Sequence, residues 1–458
     1  MTRWQDARVL VVGAGRTGAA VAAALTERAA RVTVAETGAG DDARTRAATV
    51  ARTGATVVRT LEGIDPAEFD LLVPSPGVVE HHPLLLAAAA AGTPVWSEPE
   101  LAWRLSDGRT RLVAVTGTNG KTTTTEMIAA CLSAPTAGNI GTPLVSLLGG
   151  DEPPGLVVAE LSSFQLRFCH TLRPTVAVLL NVTPDHLDWH RDLDAYRAAK
   201  ARIWAAQQPG DVAVVGADDP GATATAGAHP PPAAVVRFTT SKPHGGDVGV
   251  VDGWIVAGSG EPVVEVEALA ARGPHNLANA CAAVAAGVAA GADVARLGST
   301  LAAYHPGRHR LETVGTVDGV TYVDDSKATN PHAAAAALAS FPAGRVIWIA
   351  GGLGKGLDFD DLVPHISGQV TAAFTIGTSG PQIAEVVTRA GVEATVSETL
   401  DRAVTAAAAA ARPGDVVLLA PACASMDQFT DYAERGEAFR AAVAALSAAP
   451  ATGVPRGR

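Results

Sequence analysis

Cysteine, methionine and aromatic residues are all scarce in this 458-residue chain. The four cysteines (Cys131, Cys169, Cys281 and Cys423) lie far apart, with no C-x-x-C pair among them. That spacing indicates neither a disulfide framework nor a cysteine zinc site and leaves the thiols as small apolar residues. Charge is sparse too, at 18% of residues, and its formal balance is -11. An acidic surface repels phosphate backbones, so nucleic acid is not an expected partner. No apolar run approaches the ~18 residues of a membrane-spanning helix. The first residues lack the basic and apolar segments of a signal peptide. A cytoplasmic protein without a membrane partner is expected.

The apolar fraction of 48% can fill several cores, and the length suggests about three domains. Strands alternate with helices in three regions, the pattern of parallel α/β sheets. In the first, strands 8–13 and 31–35 flank a helical stretch, and a third strand, 71–73, runs into Pro74-Ser75-Pro76-Gly77. The second has strands at 112–115, 155–159 and 175–180, a Pro-, Gly- and Ala-rich stretch at 221–234 that reads as loop, and a helix starting near Asn276. The third has strands at 346–349, 373–376 and 416–419. The domains are set at 1–106, 107–306 and 307–458, and the tail 449–458 is expected to be disordered.

One segment carries the strongest chemical signal. Thr116-Gly117-Thr118-Asn119-Gly120-Lys121-Thr122 follows an apolar strand and opens a helix. Glycines let backbone N–H groups turn toward an anion, and the helix N-terminus adds partial positive charge. Lys121 can neutralise β/γ-phosphate charge and the Thr122 hydroxyl can ligate Mg²⁺. The spacing is G-x-x-G-K-T, because Val115 stands where the longer phosphate loop has its first glycine.

This loop resembles that of the Mur ligases and their folylpolyglutamate synthetase relatives. Five further motifs follow in that family's order: Gly138-Asn-Ile-Gly141, Glu160-Leu-Ser-Ser-Phe-Gln-Leu166, Asn181-Val-Thr-Pro-Asp-His-Leu187, Asp325-Ser-Lys-Ala-Thr-Asn330 and Pro421-Ala-Cys-Ala-Ser-Met-Asp-Gln-Phe429. They are similar to those of the D-glutamate-adding branch of the Mur ligases. The resemblance implies a Rossmann-like N-terminal domain for the UDP-linked substrate, a central P-loop ATPase-like domain and a Rossmann-like C-terminal domain. It also implies the activity: ATP turns the carboxylate of UDP-N-acetylmuramoyl-L-alanine into an acyl phosphate, and the amine of D-glutamate displaces phosphate. A monomer is expected.

Roles follow by resemblance. ATP falls to Gly117, Thr118, Asn119, Gly120, Lys121, Thr122, Thr123, Asn279, Arg310 and Asp325, the last two reaching back from the third domain. Mg²⁺, two ions, falls to Thr122, Glu160, His186 and Lys200, with Lys200 carbamoylated; from pattern alone Lys200 is a surface helix lysine. Asn139 and His186 join Lys121 and Lys200 as catalytic groups. The UDP substrate falls to Arg16, Thr17, Glu36, Thr37, Gly77, Asn139, Ser162 and Gln165. D-Glutamate falls to His186, Lys327, Thr329, Lys355, Ser425, Met426 and Tyr432. Asn276 and Asn279, three apart, share a helix face, and Asn276 alone reads as a helix cap.

Two other readings stay open. A folylpolyglutamate synthetase-like ligase shares the loop. Gly13-Ala-Gly-Arg-Thr-Gly18 after a strand, with Glu36 ending the next, also fits a nicotinamide oxidoreductase.

Overall fold

The computed structural model describes residues 4–271, 273–354 and 357–448, so the 449–458 tail lies outside the described residues. Two compact units contain them: the residues up to Ala270 with Asn276–Tyr304, and Ala271–His275 with the residues from His305 onward.

The first unit holds two parallel sheets. One comprises β1 (Arg8–Val12), β2 (Arg31–Ala35), β3 (Thr56–Val58) and β4 (Leu71–Pro74), in the order β3-β2-β1-β4. The other comprises β5 (Arg111–Thr116), β6 (Thr136–Gly138), β7 (Leu156–Glu160), β8 (Val176–Leu179), β9 (Val212–Gly216) and β10 (Ala234–Phe238), in the order β10-β9-β8-β5-β7-β6. Runs such as Leu112-Val113-Ala114-Val115 are buried throughout, as expected of strands covered on both faces by helices. The chain lays β7 on one side of β5 and β8 on the other, and a crevice opens at the carboxyl ends of strands at such a crossover. A small antiparallel sheet, β11 (Gly249–Val251), β12 (Trp254–Val256) and β13 (Pro262–Glu265), completes the unit.

The stretch 221–234 is not all loop: a helix spans Pro220–Ala228. Its Gly and Pro content misleads. Pro220 occupies the first turn, where its missing N–H costs nothing. The Asp219 carboxylate caps the helix by accepting from Ala222 N at 2.6 Å and also accepts from Val182 N at 3.0 Å. Gly221 is required by packing, since a Cβ there would lie 1.8 Å from the Val182 carbonyl oxygen.

The second unit has one sheet of β14 (Glu312–Val317), β15 (Val320–Asp324), β16 (Val346–Gly351), β17 (Val370–Ile376), β18 (Glu393–Glu398) and β19 (Val416–Leu419), in the order β14-β15-β19-β16-β17-β18. Only the β14–β15 pair is antiparallel. β16, β17 and β19, whose apolar runs are buried, match the expected strands; the edge strands β14 and β18, largely half-buried or exposed, were not expected, and neither was β15, which is buried but mixes Thr, Tyr and Asp with its two valines.

Within the first unit, helix Glu98–Ser106, which follows the N-terminal sheet in sequence, is anchored to segments around the second sheet through two buried carboxylates. Glu100, fully buried, accepts from His170 N, Thr171 N, Thr171 Oγ1, Leu172 N and Arg104 Nε at 2.7–3.0 Å. Burial alone would raise its pKa, but these donors outweigh it and hold the group below the usual range. Glu98, 2% exposed, accepts from Val145 N at 2.5 Å while its Oε2 has no partner among the described residues. Burial pushes its pKa up to about 7 from 4.5. Between those values the folded chain holds a proton that the unfolded chain has lost. Stability therefore falls as pH rises from 4.5 through about 7, and the cost is complete above that. Glu98→Gln should flatten this dependence. Melting temperatures at pH 5 and pH 8 should differ less in the variant than in the wild type, and equal differences would refute the assignment.

Candidate active site

The phosphate loop is built by the end of β5 and the helix Lys121–Leu132. Gly120 has φ +79°, and a Cβ on it would lie 2.3 Å from Asn279 Oδ1, so only glycine fits both the turn and its neighbour. Asn181, just past β8, fastens the loop in three places. Its carbonyl accepts from Thr118 N (2.9 Å), its Oδ1 accepts from Asn119 N (2.8 Å), and its Nδ2 donates to the Asn119 carbonyl (3.1 Å). Asn181 lies in one of the family-like motifs but has no expected role there; its position two residues past the end of β8, beside the loop, is the signal that could have found it. Lys121 Nζ donates to the carbonyls of Gly117 (3.1 Å) and Thr118 (2.8 Å). Thr123 is buried beneath the loop.

Glu160, the last residue of β7, is 2% exposed. Its carboxylate accepts from Thr122 Oγ1 at 2.6 Å and from Asn139 Nδ2 at 2.7 Å. No ion pair to it occurs among the described residues. A buried carboxylate beside a threonine hydroxyl, left without a protein cation, is a hard-oxygen donor set that fits Mg²⁺. Three groups forecast for the site thus meet at one carboxylate.

Lys200 is not the surface lysine that its helical spacing suggested. It is 1% exposed, on the inward face of helix Leu193–Ala201, and its Nζ donates to the Gly117 carbonyl at 2.7 Å and sits 4.5 Å from the Tyr196 ring centroid. Burial first, and the nearby charge of Lys121 second, push its pKa well below the ordinary lysine value. Its ammonium form is thereby disfavoured under the phosphate loop. His186, exposed, has φ +54° and packs at a tilt against Phe164, 4.8 Å between ring centroids, with its ring Nδ1 3.6 Å from Asp185. Beside it His190 is fully buried, donating or accepting at Ser163 Oγ (2.9 Å), and burial drives its pKa down to about 3, which keeps it neutral.

Ser162 and Gln165 form a reciprocal capping box at the start of helix Ser163–Arg167. Their side chains hold each other, and Gln165 also lines a cleft with Ser75, Val78, Phe164, Phe168 and Trp189. Asn276 is not a cap: its helix starts earlier, at Pro274, and its side chain accepts from Asn279 Nδ2 at 3.3 Å. Asn279 in turn accepts from Thr124 Oγ1 at 3.2 Å, which puts this pair against the loop helix.

In the N-terminal sheet, Arg16 and Thr17 open a helix and Thr37 and Gly77 are exposed at strand ends. Glu36 is buried and accepts from Ala14 N, Gly38 N and both Arg46 Nε and Nη2, at 3.0–3.2 Å. Arg46 is the main cause that holds its pKa below the usual range. All four acceptor directions are taken, so a ligand hydroxyl reaches Glu36 only by displacing a donor.

In the second unit, Lys327 Nζ lies 3.8 Å over the Tyr432 ring, bringing those two together. Asp325 accepts from Leu311 N at 3.2 Å, and burial raises its pKa to about 7 against the lowering charge of Arg310. Ser425 is buried, Met426 is 54% exposed, and Thr329 N donates to the Lys327 carbonyl at 2.8 Å. Lys355 lies outside the described residues. A residue that the sequence reading passed over, Arg435, is 1% exposed and donates to Ser326 Oγ (2.9 Å), Ser326 O (2.9 Å) and Cys423 O (3.1 Å), so it ties the 325–329 segment to the 421–425 segment.

Three family models match the chain: Mur ligase MurD-like, N-terminal domain at 7–97; Mur ligase middle domain at 115–287; and Mur ligase, glutamate ligase domain at 309–423. The chain is 48% identical over 456 residues to a UDP-N-acetylmuramoylalanine--D-glutamate ligase from Frankia casuarinae, covering 96% of this chain and 95% of that one. It is 43% identical to the protein of that name from Thermobifida fusca, covering 96% and 98%. Among solved structures it is similar in fold to UDP-N-acetylmuramate-alanine ligase MurC from Thermotoga maritima (TM-score 0.58, 21% identity, 96% and 99% covered). It is also similar to MurF ligase from Thermotoga maritima in complex with ADP (TM-score 0.59, 18% identity, 91% and 95% covered).

The bonds from the Asn181 side chain hold the loop in shape before any ligand arrives. Asn181→Ala removes two of them, each contributing ~1 kcal/mol. ADP affinity in magnesium buffer, measured by titration calorimetry, should fall about tenfold or more, and an unchanged affinity would show that the loop does not need this support.

Proposed function

The chain belongs to the Mur ligase family, and we propose that it is an ATP-dependent ligase that joins D-glutamate to UDP-N-acetylmuramoyl-L-alanine, a cytoplasmic step in peptidoglycan precursor synthesis. The observation that supports this reading most is the Glu160 carboxylate held between Thr122 and Asn139 at the mouth of the phosphate loop. The near-full-length relatives carry the D-glutamate name, which disfavours the folylpolyglutamate and nicotinamide readings.

In this reading the N–H groups of the 117–122 loop and Lys121 receive the ATP phosphates, with Asn279 toward adenine and Arg310 and Asp325 completing the nucleotide set. Thr122, Glu160, His186 and a carbamoylated Lys200 would hold two Mg²⁺ ions, which would screen the phosphate charge that an incoming carboxylate must approach. The low pKa of Lys200 supports its modification, because the neutral amine is the form that adds carbon dioxide. Arg16, Thr17, Glu36, Thr37, Gly77, Ser162 and Gln165 face the UDP-linked substrate, and Asn139 steadies its reacting carboxylate. That carboxylate attacks the γ-phosphorus and ADP leaves. The deprotonated amine of D-glutamate, held by Lys327, Thr329, Lys355, Ser425, Met426 and Tyr432, then attacks the acyl carbon. An amide forms and phosphate leaves. The enzyme acts as a monomer, with neither nucleic acid nor membrane as partner.

Phosphate release from ATP with UDP-N-acetylmuramoyl-L-alanine and one amino acid at a time tests this. D-Glutamate should support release; release with another amino acid and none with D-glutamate would overturn the assignment. Lys121→Ala should lose activity by about 100–1000-fold with an unchanged circular dichroism spectrum. Lys200→Ala should be nearly inactive and recover in part with a short added carboxylate; full activity without it would exclude the carbamate.

A further inference from the structure

The helix that follows His186 is too short to hold its own place. It spans Leu187–His190, begins at His186 (φ +54°) and ends at Arg191 (φ +63°). Left-handed backbone at non-glycine residues persists only where the surroundings impose it. One turn of helix has no stability of its own. The position of His186 is therefore set by what its segment touches.

Contacts of three kinds set it. Phe164 packs at a tilt against His186 at 4.8 Å and Trp189 at 4.7 Å and stacks on His190 at 5.5 Å, while Phe168 meets Trp189 and Tyr196 meets His190. His190 Nε2 meets Ser163 Oγ at 2.9 Å. The third kind comes from the other sheet. Glu80, in the loop after β4, is only 9% exposed. Its Oε2 accepts from Arg167 Nε at 2.7 Å and its Oε1 lies 3.4 Å from Arg191 Nε. Arg167 ends the helix Ser163–Arg167 and Arg191 follows Leu187–His190. A single carboxylate from the N-terminal sheet thus fastens the ends of both helices that carry the aromatic stack.

We propose that Glu80 is a positioning residue for the ligation: through Arg167 and Arg191 it holds the His186 segment in register with the loop that follows β4. This rests on the reading of His186 as a residue of the reacting site. Glu80 itself touches no reacting atom. Both arginines are partly exposed, 37% and 66% at the side chain, against 5% for Glu80, so solvent screens the cation side of each pair and lowers its contribution to global stability. Their loss loosens one segment rather than the fold.

Glu80→Gln keeps the shape and removes the charge. Its kcat should fall about tenfold while KM for ATP and for D-glutamate stays within about twofold and the melting temperature is unchanged. Amide hydrogen exchange should quicken in 187–192 and not in 121–132. Arg191→Met should lower kcat as well, and the double variant should be no worse than the worse single variant. A wild-type kcat in Glu80→Gln would overturn the proposal. So would additive effects, or a raised KM for the UDP-linked substrate at constant kcat, which would mean direct substrate contact. If the wild-type enzyme shows no D-glutamate-dependent turnover, the reading of the reaction fails. Exchange in 187–192 then decides the Glu80 contact alone: faster exchange upholds it and unchanged exchange overturns it.

Discussion

A buried carboxylate that no cation pairs with among the described residues organises this site. Glu160 is 2% exposed, and its two donors, Thr122 Oγ1 and Asn139 Nδ2, are neutral. Burying a charge is costly unless it is paired, and two neutral hydrogen bonds offset only part of that cost. The backbone nevertheless fixes it there. Leu161 N donates to the Val115 carbonyl, and Asn139 N donates to the Glu160 carbonyl at 2.8 Å. Gly138, at φ +96°, packs so close that a Cβ would lie 2.3 Å from that same carbonyl. The ends of β5, β6 and β7 thus hold a negative charge in place whose natural complement is a hard cation.

The charges opposite are arranged to suit an anion. Lys121 and Lys200 both donate to the Gly117 carbonyl, at 3.1 Å and 2.7 Å. Burial first, and the nearby Lys121 second, lower the pKa of Lys200 well below the ordinary lysine value. Lys121 stands instead at the N-terminus of its helix, partly open to solvent. The difference between the two follows mainly from burial, since Lys200 lies on the inward face of its helix and Lys121 in its helix's first turn. The reactive pattern is therefore a consequence of how the helices cover the sheet.

Much of this was legible in the sequence, and the limits have physical causes. Strand ends and glycine turns are local, so the phosphate loop, Glu160 at the end of β7 and the Asn276–Asn279 face could be read from spacing. Burial of a polar side chain is not local. Lys200 looked solvent-facing because nothing within its own helix reveals that the distant Gly117 carbonyl covers its amine, although Tyr196, one turn earlier on the same helix, also lies against it. The helix Pro220–Ala228 was missed because its glycine is demanded by a carbonyl from a distant segment. Ser162 and Gln165 were read as ligand contacts, yet each already satisfies the other in a capping box, a pattern that the Ser-x-x-Gln spacing does carry. Arg435 and Glu80 act only through partners far away in sequence, and no local pattern marks either one.

The missing first glycine of the loop can now be explained. Val115 is fully buried and pairs with Glu160 in the β5–β7 register and with Val178 in the β5–β8 register. A longer phosphate loop would have to leave the sheet at this residue. Here β5 instead continues through Thr116, and the chain turns at Gly117, where a Cβ would come 2.9 Å from that of Leu180. The shorter loop keeps Lys121 and Thr122 close to the strand end, so Thr122 reaches the Glu160 carboxylate directly, at 2.6 Å. A glycine at 115 would remove a buried cross-strand contact and free the strand end that aligns Glu160.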